Sequence, residues 1–275
     1  MSGVVLLTGA TGFVGRQVMR ALLADGKQVR VVVREGSEDR IAAGDSHVQI
    51  VTTRDLFAES ADWWSEVCRG VDTVIHAAWY AEPGKYLTSP RNMDCLIGTL
   101  AAAQGAARAG VRRFVGIGTC FEYDVNFGTL AVDTPLRPTT LYASAKAAAF
   151  LTLSQWFAGQ DVSFAWCRLF YLYGEGEDPR RLVPYLRAQL TAGAHAELSS
   201  GNQIRDFLDV EVAGRRIVQA ASSEVQGPVN ICSGVPVTVR ELAERIADEY
   251  GRRDLLMFGA RPENLVDPAR VVGVG

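Results

Sequence analysis

Clustered cysteine, an excess of one charge and any long apolar run are all missing from this chain of 275 residues. Five cysteines, Cys68, Cys95, Cys120, Cys167 and Cys232, stand far apart, odd in number and without a C-x-x-C pair. That spacing speaks against a disulfide framework and against a zinc or other metal site, and the cysteines read as small buried apolar side chains. A net charge of −3, with 28 Lys and Arg scattered along the sequence, offers no basic face on which nucleic acid would concentrate. No apolar run nears the roughly 18 residues of a membrane span, and the opening MSGVVLL is too short for a signal-peptide core. The expectation is a cytoplasmic protein with neither a membrane nor a nucleic-acid partner.

What is present is apolar material, 48% of the residues, arranged in a rhythm. Short branched runs (VVLLTG, QVRVVVR, HVQIV, DTVIHAA, RRFVGIGT, VSFAWCRLF) alternate with helical patterns at 13–24, 88–109 and 142–158. Runs that are continuous rather than alternating mean strands covered on both faces, the mark of a parallel sheet flanked by helices. The predicted fold class is therefore α/β, a doubly wound parallel sheet over residues 1–170. After Phe170 the rhythm gives way to Gly- and Pro-rich loops with helices at 179–192, 210–221 and 238–250. Residues 171–275 then form a smaller α+β substrate lobe, with some crossing of the chain between the two, at the carboxyl edge of the sheet where open α/β folds bind ligands.

The first strand runs into TGATGFVG and then into a helix whose Val14, Val18, Ala21 and Leu22 form an apolar stripe. In that setting the three glycines have separate tasks. Gly9 permits the tight turn, Gly12 lets the backbone approach a pyrophosphate at the helix N-terminus, and Gly15 lets helix and strand pack closely. This is a Rossmann-type dinucleotide site, with Thr11, Phe13 and Val14 on the same turn in the cofactor-binding set. The second strand ends at Arg34, where an acidic residue commonly holds the ribose 2′-hydroxyl of NAD. An arginine there favours a 2′-phosphate, which a carboxylate would repel by about 4 kcal/mol at intermediate dielectric. NADP is the expected cofactor and NAD the less favoured one. Arg34 also reads as a plain solvated loop residue, and Ser37 and Arg40 either assist the phosphate or stand idle.

Farther on, PTTLYASAKAAAFL sets Tyr142 and Lys146 four residues apart, on one face of a helix. A tyrosine titrates near 10, so exchanging a proton near neutrality calls for a neighbouring positive charge, which Lys146 supplies. Alone the pair also reads as an ordinary surface contact. The fifth strand, however, ends at Thr119, on the same sheet edge as the glycine turn.

In the order TGATGFVG, VIHAAW, GTLAAAQGAARAGVRRFVGIGT, PLRPTTLYASAK, RLFYLYGEGE, RDFLDVEVAG and NICSG, nearly the whole chain resembles the extended short-chain dehydrogenase/reductases. Within them it resembles the nucleotide-sugar epimerases, dehydratases and ketoreductases. The resemblance implies a catalytic trio of Thr119, Tyr142 and Lys146, with Lys146 also on the nicotinamide ribose. It further implies Ala77 and Ala78 along the cofactor, Asp55 and Leu56 beside the adenine, and Arg205 on the substrate diphosphate, with a weaker match for Arg261 as a phosphate contact. Three departures stand out: Cys95 replaces the usual Asn of N-V-x-G-T, Tyr171 replaces the Asn of R-P-F-N-V-Y-G, and the end stops before the final helix and strand of the pattern. Tyr171 stays in the expected substrate set.

Family dehydratases carry Asp-Glu directly after the threonine, whereas here Cys120 and Phe121 follow. Dehydration is disfavoured, and Cys120 reads as a packed thiol. His76, at the end of the fourth strand, reads as a hydrogen-bonded core histidine. Glu122 and Tyr123 read equally as substrate contacts and as loop scaffolding, while Trp79, Tyr80 and Lys85 lie on a loop placed to touch a sugar ring. HAAWYAEPGKY and GTCFEYD look most like sugar synthases of the CDP-abequose and CDP-paratose type and related dTDP-sugar reductases. The expected function is an NADP-dependent reductase of a nucleotide-activated 4-keto-6-deoxysugar. The alternatives are an NAD-dependent UDP-sugar 4-epimerase and a non-catalytic NADP-binding sensor or scaffold. A homodimer through a four-helix bundle of helices 88–109 and 142–158 is the family habit.

Overall fold

The computed structural model describes residues 3–41, 45–263 and 267–275. Along the chain run β1 (Val4–Thr8), α1 (Phe13–Ala24), β2 (Gln28–Arg34), β3 (Val48–Thr53), α2 (Ala61–Val67), β4 (Val71–His76), α3 (Arg91–Arg108) and β5 (Arg113–Thr119). There follow β6 (Thr129–Leu130), α4 (Leu141–Phe157), β7 (Ser163–Leu169), β8 (Tyr171–Tyr173), α5 (Leu182–Thr191), β9 (Ala196–Leu198), β10 (Ile204–Asp209) and α6 (Val210–Ser222). The chain closes with β11 (Gly227–Ile231), β12 (Pro236–Thr238), α7 (Val239–Glu249), β13 (Leu256–Phe258) and β14 (Arg270–Gly273).

Seven strands form one sheet in the order β11-β7-β5-β4-β1-β2-β3, parallel throughout. The continuous apolar runs have the cause expected of them, since both faces are covered and β5 is buried at every position. On one face, Val18 and Leu22 of α1 with Ala213 and Ile217 of α6 pack on Leu7, Val31 and Val115. On the other, Trp64, Ala103, Ala106, Ala149, Leu153 and Phe157 from α2, α3 and α4 cover Leu6, Val32, Phe114 and Phe164. Each such fully buried Leu or Phe contributes about 1.5–3 kcal/mol.

The chain crosses between the two parts divided at residue 170. α6 lies against α1, and β11 pairs with β7 at the edge of the large sheet. The apolar stripe of α6 (Val210, Ala213, Ile217, Ala221) needs a cover, and Gly214 lets it approach the backbone of Gln17 closely. The smaller lobe is thus 171–209 together with 233–275, joined by β6 (Thr129–Leu130) from the earlier part of the chain. In it β12-β10-β14-β6 form a second sheet, β8 adds to β10, and β9 pairs with β13 around Leu186, Ala243 and Ile246. Asp206, fully buried, ties β10 to the turn after β11 and to β14 by accepting hydrogen bonds from Ser233 N–H (2.6 Å), Gly234 N–H (2.8 Å) and Gly273 N–H (3.1 Å). No helix among the described residues is long and apolar enough to cross a membrane.

Candidate active site

The glycine turn has the shape its spacing predicts. Gly9 has φ +74°, and a methyl group there would sit 2.8 Å from the Ala78 nitrogen, so the end of β4 lies directly on the turn. A methyl on Gly15 would overlap the Gly9 carbonyl. Gly12 is the N-cap of α1; it offers no side-chain cap, and no acidic residue stands in the first turn. The first amides of α1 are therefore available to an anion, and the helix dipole favours one. These features fit the diphosphate of a dinucleotide, with Thr11, Phe13 and Val14 on the same bend. Around it, Ala78 N–H donates to the Thr8 hydroxyl (3.1 Å), and Ala77 adjoins the core cluster beside α1.

His76 is locked below this turn. The Thr99 hydroxyl donates its one proton to the Cys95 carbonyl (2.7 Å), so it accepts from His76 Nε2 (3.0 Å). His76 Nδ1 in turn accepts from the Thr8 hydroxyl (3.1 Å). Burial drives the imidazole down to about 3, so it is a neutral core histidine.

At the far end of β2, Arg34 is exposed, while the Arg40 guanidinium reaches back to the Thr11 carbonyl (2.9 Å). Asp55 accepts from Phe57 N–H (3.1 Å) and pairs with Arg91 (3.3 Å), and Leu56 packs on the second core cluster.

The three residues expected to be catalytic, Thr119, Tyr142 and Lys146, lie at one edge of the sheet. Thr140 caps α4 by accepting from Ala143 N–H, so Tyr142 and Lys146 begin their helix at the carboxyl edge of the sheet. The Tyr142 phenol shares a hydrogen bond with Thr119, and Lys146, buried, donates to the Ile117 carbonyl at 2.5 Å. The charges behave differently from the expectation that Lys146 lowers the tyrosine. Burial pushes the Tyr142 phenol well above its ordinary range, opposed by its bond to Thr119. Burial also pushes Lys146 down to about 7, opposed by Glu122. Burial dominates both shifts, and the ammonium is turned to a carbonyl and to the face of Trp79, 3.8 Å from Nζ to the ring centroid.

Glu122 and Tyr123, expected as possible substrate contacts, are shut away from it. Glu122 accepts from Thr119 N–H (2.8 Å), Trp166 Nε1 (3.0 Å) and Arg168 Nε (2.8 Å). The Tyr123 hydroxyl accepts from Arg168 (2.9 Å) and donates to Asn230 (2.8 Å). Both residues are fully buried and scaffold the Thr119 corner. Cys120 is buried beside them, its thiol pushed up to about 12 by burial. Cys95 takes a hydrogen bond from Tyr80 N–H at 3.4 Å, a thiol standing where the family pattern has an amide.

Of the loop after β4, Trp79 turns inward while the Tyr80 hydroxyl donates to Glu82 (2.9 Å), which also pairs with Lys85 (2.7 Å). Tyr86 went unremarked in the sequence, yet its ring stands edge-on to Tyr142 at 4.8 Å, and its phenol meets Arg181. No local motif marks either residue. Arg205 is buried, stacks over Tyr171 (5.1 Å) and pairs with Asp267 (2.6 Å). The Tyr171 hydroxyl is buried with no partner in the structure. Arg261 stands apart on Tyr185 (4.7 Å).

A doubly wound sheet carrying a glycine-rich phosphate turn and a Thr-Tyr-Lys group at one edge defines a nucleotide-cofactor enzyme of the short-chain dehydrogenase/reductase class. The chain belongs to the NAD dependent epimerase/dehydratase family, whose model matches residues 5–232. It is 24% identical over 273 residues, 98% of each chain, to a dTDP-6-deoxy-L-talose 4-dehydrogenase (NAD(+)) of Aggregatibacter actinomycetemcomitans. It is 28% identical over 259 residues, 90% of this chain and 78% of the other, to a dTDP-glucose 4,6-dehydratase of Streptomyces griseus. Its fold matches the UDP-N-acetylglucosamine 4-epimerase of Methanobrevibacter ruminantium with a TM-score of 0.87 at 20% identity, covering 100% of this chain and 90% of that one.

Proposed function

We propose that the protein is an NADP-dependent reductase of a nucleotide-activated 4-keto-6-deoxysugar, with Thr119, Tyr142 and Lys146 as its catalytic residues. The observation that carries this reading is the chemistry around Thr119. The two residues after it are a buried, protonated thiol and a phenylalanine, and the next carboxylate, Glu122, is committed to Arg168. No acid–base pair is left there to draw water out of a sugar ring. Tyr142 and Lys146 remain, a set suited to moving one proton as a carbonyl becomes an alcohol. The similarity to a 4-dehydrogenase along the full chain agrees with this, since reduction of a 4-ketone is that reaction in reverse.

Gly9, Thr11, Gly12, Phe13, Val14 and Gly15 would hold the cofactor diphosphate, Ala77 and Ala78 its nicotinamide side, and Lys146 the ribose. The bound cofactor supplies the hydride. As the carbonyl carbon gains that hydride, the π pair moves to oxygen, where Tyr142 donates its proton and Thr119 hydrogen-bonds. In this reading Lys146 favours the phenolate left behind against the burial that raises the Tyr142 phenol, and the phenolate takes its next proton from solvent. The raised pKa of the half-buried Tyr142 phenol keeps it a donor across the neutral range. Arg34 and Arg40 support NADP over NAD, the former by position and the latter by lying across the Thr11 carbonyl. On the substrate side the reading places Trp79, Tyr80, Tyr171 and Arg205, with Arg261 farther out.

Nucleotide 4-ketosugars offered with NADPH and with NADH, followed by absorbance and by NMR of the product, test the assignment. A reductase consumes NADPH in step with the alcohol formed. A 4-epimerase would carry NAD through purification and need none added.

A further inference from the structure

We propose that Trp79 is a positioning residue for Lys146, its indole face holding the ammonium charged and fixed beside Tyr142. Three contacts define the arrangement. Lys146 Nζ lies 3.8 Å from the Trp79 ring centroid, against 5.8 Å for Trp166, well within the distance at which a cation is attracted to an aromatic face. The same ring meets Tyr142 edge-on at 6.4 Å. The indole N–H donates to Asn92 Oδ1 at 2.8 Å. Asn92 is itself fully buried, its amide group donating to the carbonyls of Tyr86 (2.7 Å) and Ser89 (2.9 Å). With its N–H anchored on a fixed amide, the ring cannot swing off the lysine.

The surroundings explain why a π face matters there. The titratable groups facing Lys146 are Glu122 from the turn after β5, Cys95 from α3, His76 from β4 and Tyr142 on its own helix. Cys95 and Tyr142 are held protonated by burial, and His76 is neutral. Glu122 favours the charged lysine, but its oxygens are shared with Arg168, Trp166 and Thr119 N–H. The Ile117 carbonyl and the Trp79 ring are what remain in direct contact. Because burial brings Lys146 down to about 7, a modest stabilisation of the ammonium decides its charge at neutral pH.

The inference uses the hydride-transfer reading only for its kinetic arm, and its direct test is independent of turnover. The chain has only three lysines, Lys27, Lys85 and Lys146, so carbon-13 labelling at lysine Cε gives an assignable NMR titration of the whole protein. Fluorinated tryptophan placed at position 79 alone weakens the ring's negative face while leaving its volume and burial in place. The Lys146 midpoint should fall stepwise with fluorine content, by about one pH unit at full fluorination. Trp79→Phe, which keeps a ring but loses the N–H anchor on Asn92, should fall part of the way, and Trp79→Leu should fall further. In reduction assays the alkaline limb of kcat should move down by the same amount. A Lys146 midpoint unchanged by fluorination, or raised in Trp79→Leu, would overturn the proposal, the latter by showing that Trp79 acts through exclusion of water. A fluorine-dependent midpoint in a protein that reduces no ketosugar would retain this inference and sink the reductase assignment instead.

Discussion

The Glu122 carboxylate accepts from Arg168 at 2.8 Å with the two side chains 0% and 1% exposed, and the same carboxylate holds the backbone N–H of Thr119. A buried ion pair contributes little net energy while intact, but removing one partner leaves the other charge uncompensated. Glu122→Ala should therefore cost about 3–5 kcal/mol in urea unfolding, with loss of the Thr119 corner and of turnover. Replacing both residues, as Glu122→Leu with Arg168→Met, should recover much of the stability without the activity. A Glu122→Ala protein as stable as the parent would contradict the burial described.

The glycine turn separates folding from cofactor binding. Gly15→Ala meets the Gly9 carbonyl and should destabilise by about 1–3 kcal/mol, as overpacking does. For Gly12→Ala, the Gly9 oxygen at 3.2 Å is the one neighbour within 4 Å of the added carbon, so thermal unfolding should shift little. Its NADPH affinity should still fall about tenfold or more, 1.4 kcal/mol or above, because the methyl stands where the diphosphate approaches. Calorimetry and fluorescence titration of the two variants check this; equal losses of stability would contradict it.

His76 sets an acid limit on stability. Its folded-state value is about 3 against an ordinary 6.5, so between those values the unfolded chain binds more protons. Stability should therefore fall as pH drops below about 6.5, by up to about 1.4 kcal/mol per unit from this group. Urea unfolding at pH 7 and pH 5 should show a larger loss for the parent than for His76→Gln. Parallel losses would assign the acid sensitivity elsewhere.

Strand and helix order could be read from the sequence because continuous apolar runs and helical stripes carry their own period; α3, α4 and β5 lie within a few residues of their expected bounds. Three things could not be read so. α2 has seven residues, too few to show a period, although Ser60 caps it by accepting from Trp63 N–H. The return of α6 and β11 to the large sheet is a tertiary choice, visible only once α1 offers a face to cover. At the site, the spacing of Tyr142 and Lys146 placed them on one face, yet it said nothing of the Ile117 carbonyl and Trp79 ring that take up the ammonium. Glu122 was ambiguous because its partner, Arg168, is 46 residues away.

Met93, Ile97 and Leu151 are exposed on α3 and α4, at 48%, 61% and 54%. A homodimer pairing these two helices with their copies would cover all three. Ile97→Asp with Leu151→Asp should then elute as a monomer in light-scattering chromatography, with the unfolding midpoint losing its dependence on protein concentration. A parent chain already monomeric at micromolar concentration would remove the dimer from the account.

The central claim is that Tyr142 gives its proton to the reduced carbonyl, and Tyr142→Phe tests it most directly. With NADPH bound to the same extent as in the parent, ketosugar-dependent loss of cofactor absorbance should slow by about 10²–10⁴-fold, the usual contribution of a placed general acid. Undiminished turnover in Tyr142→Phe would contradict the account.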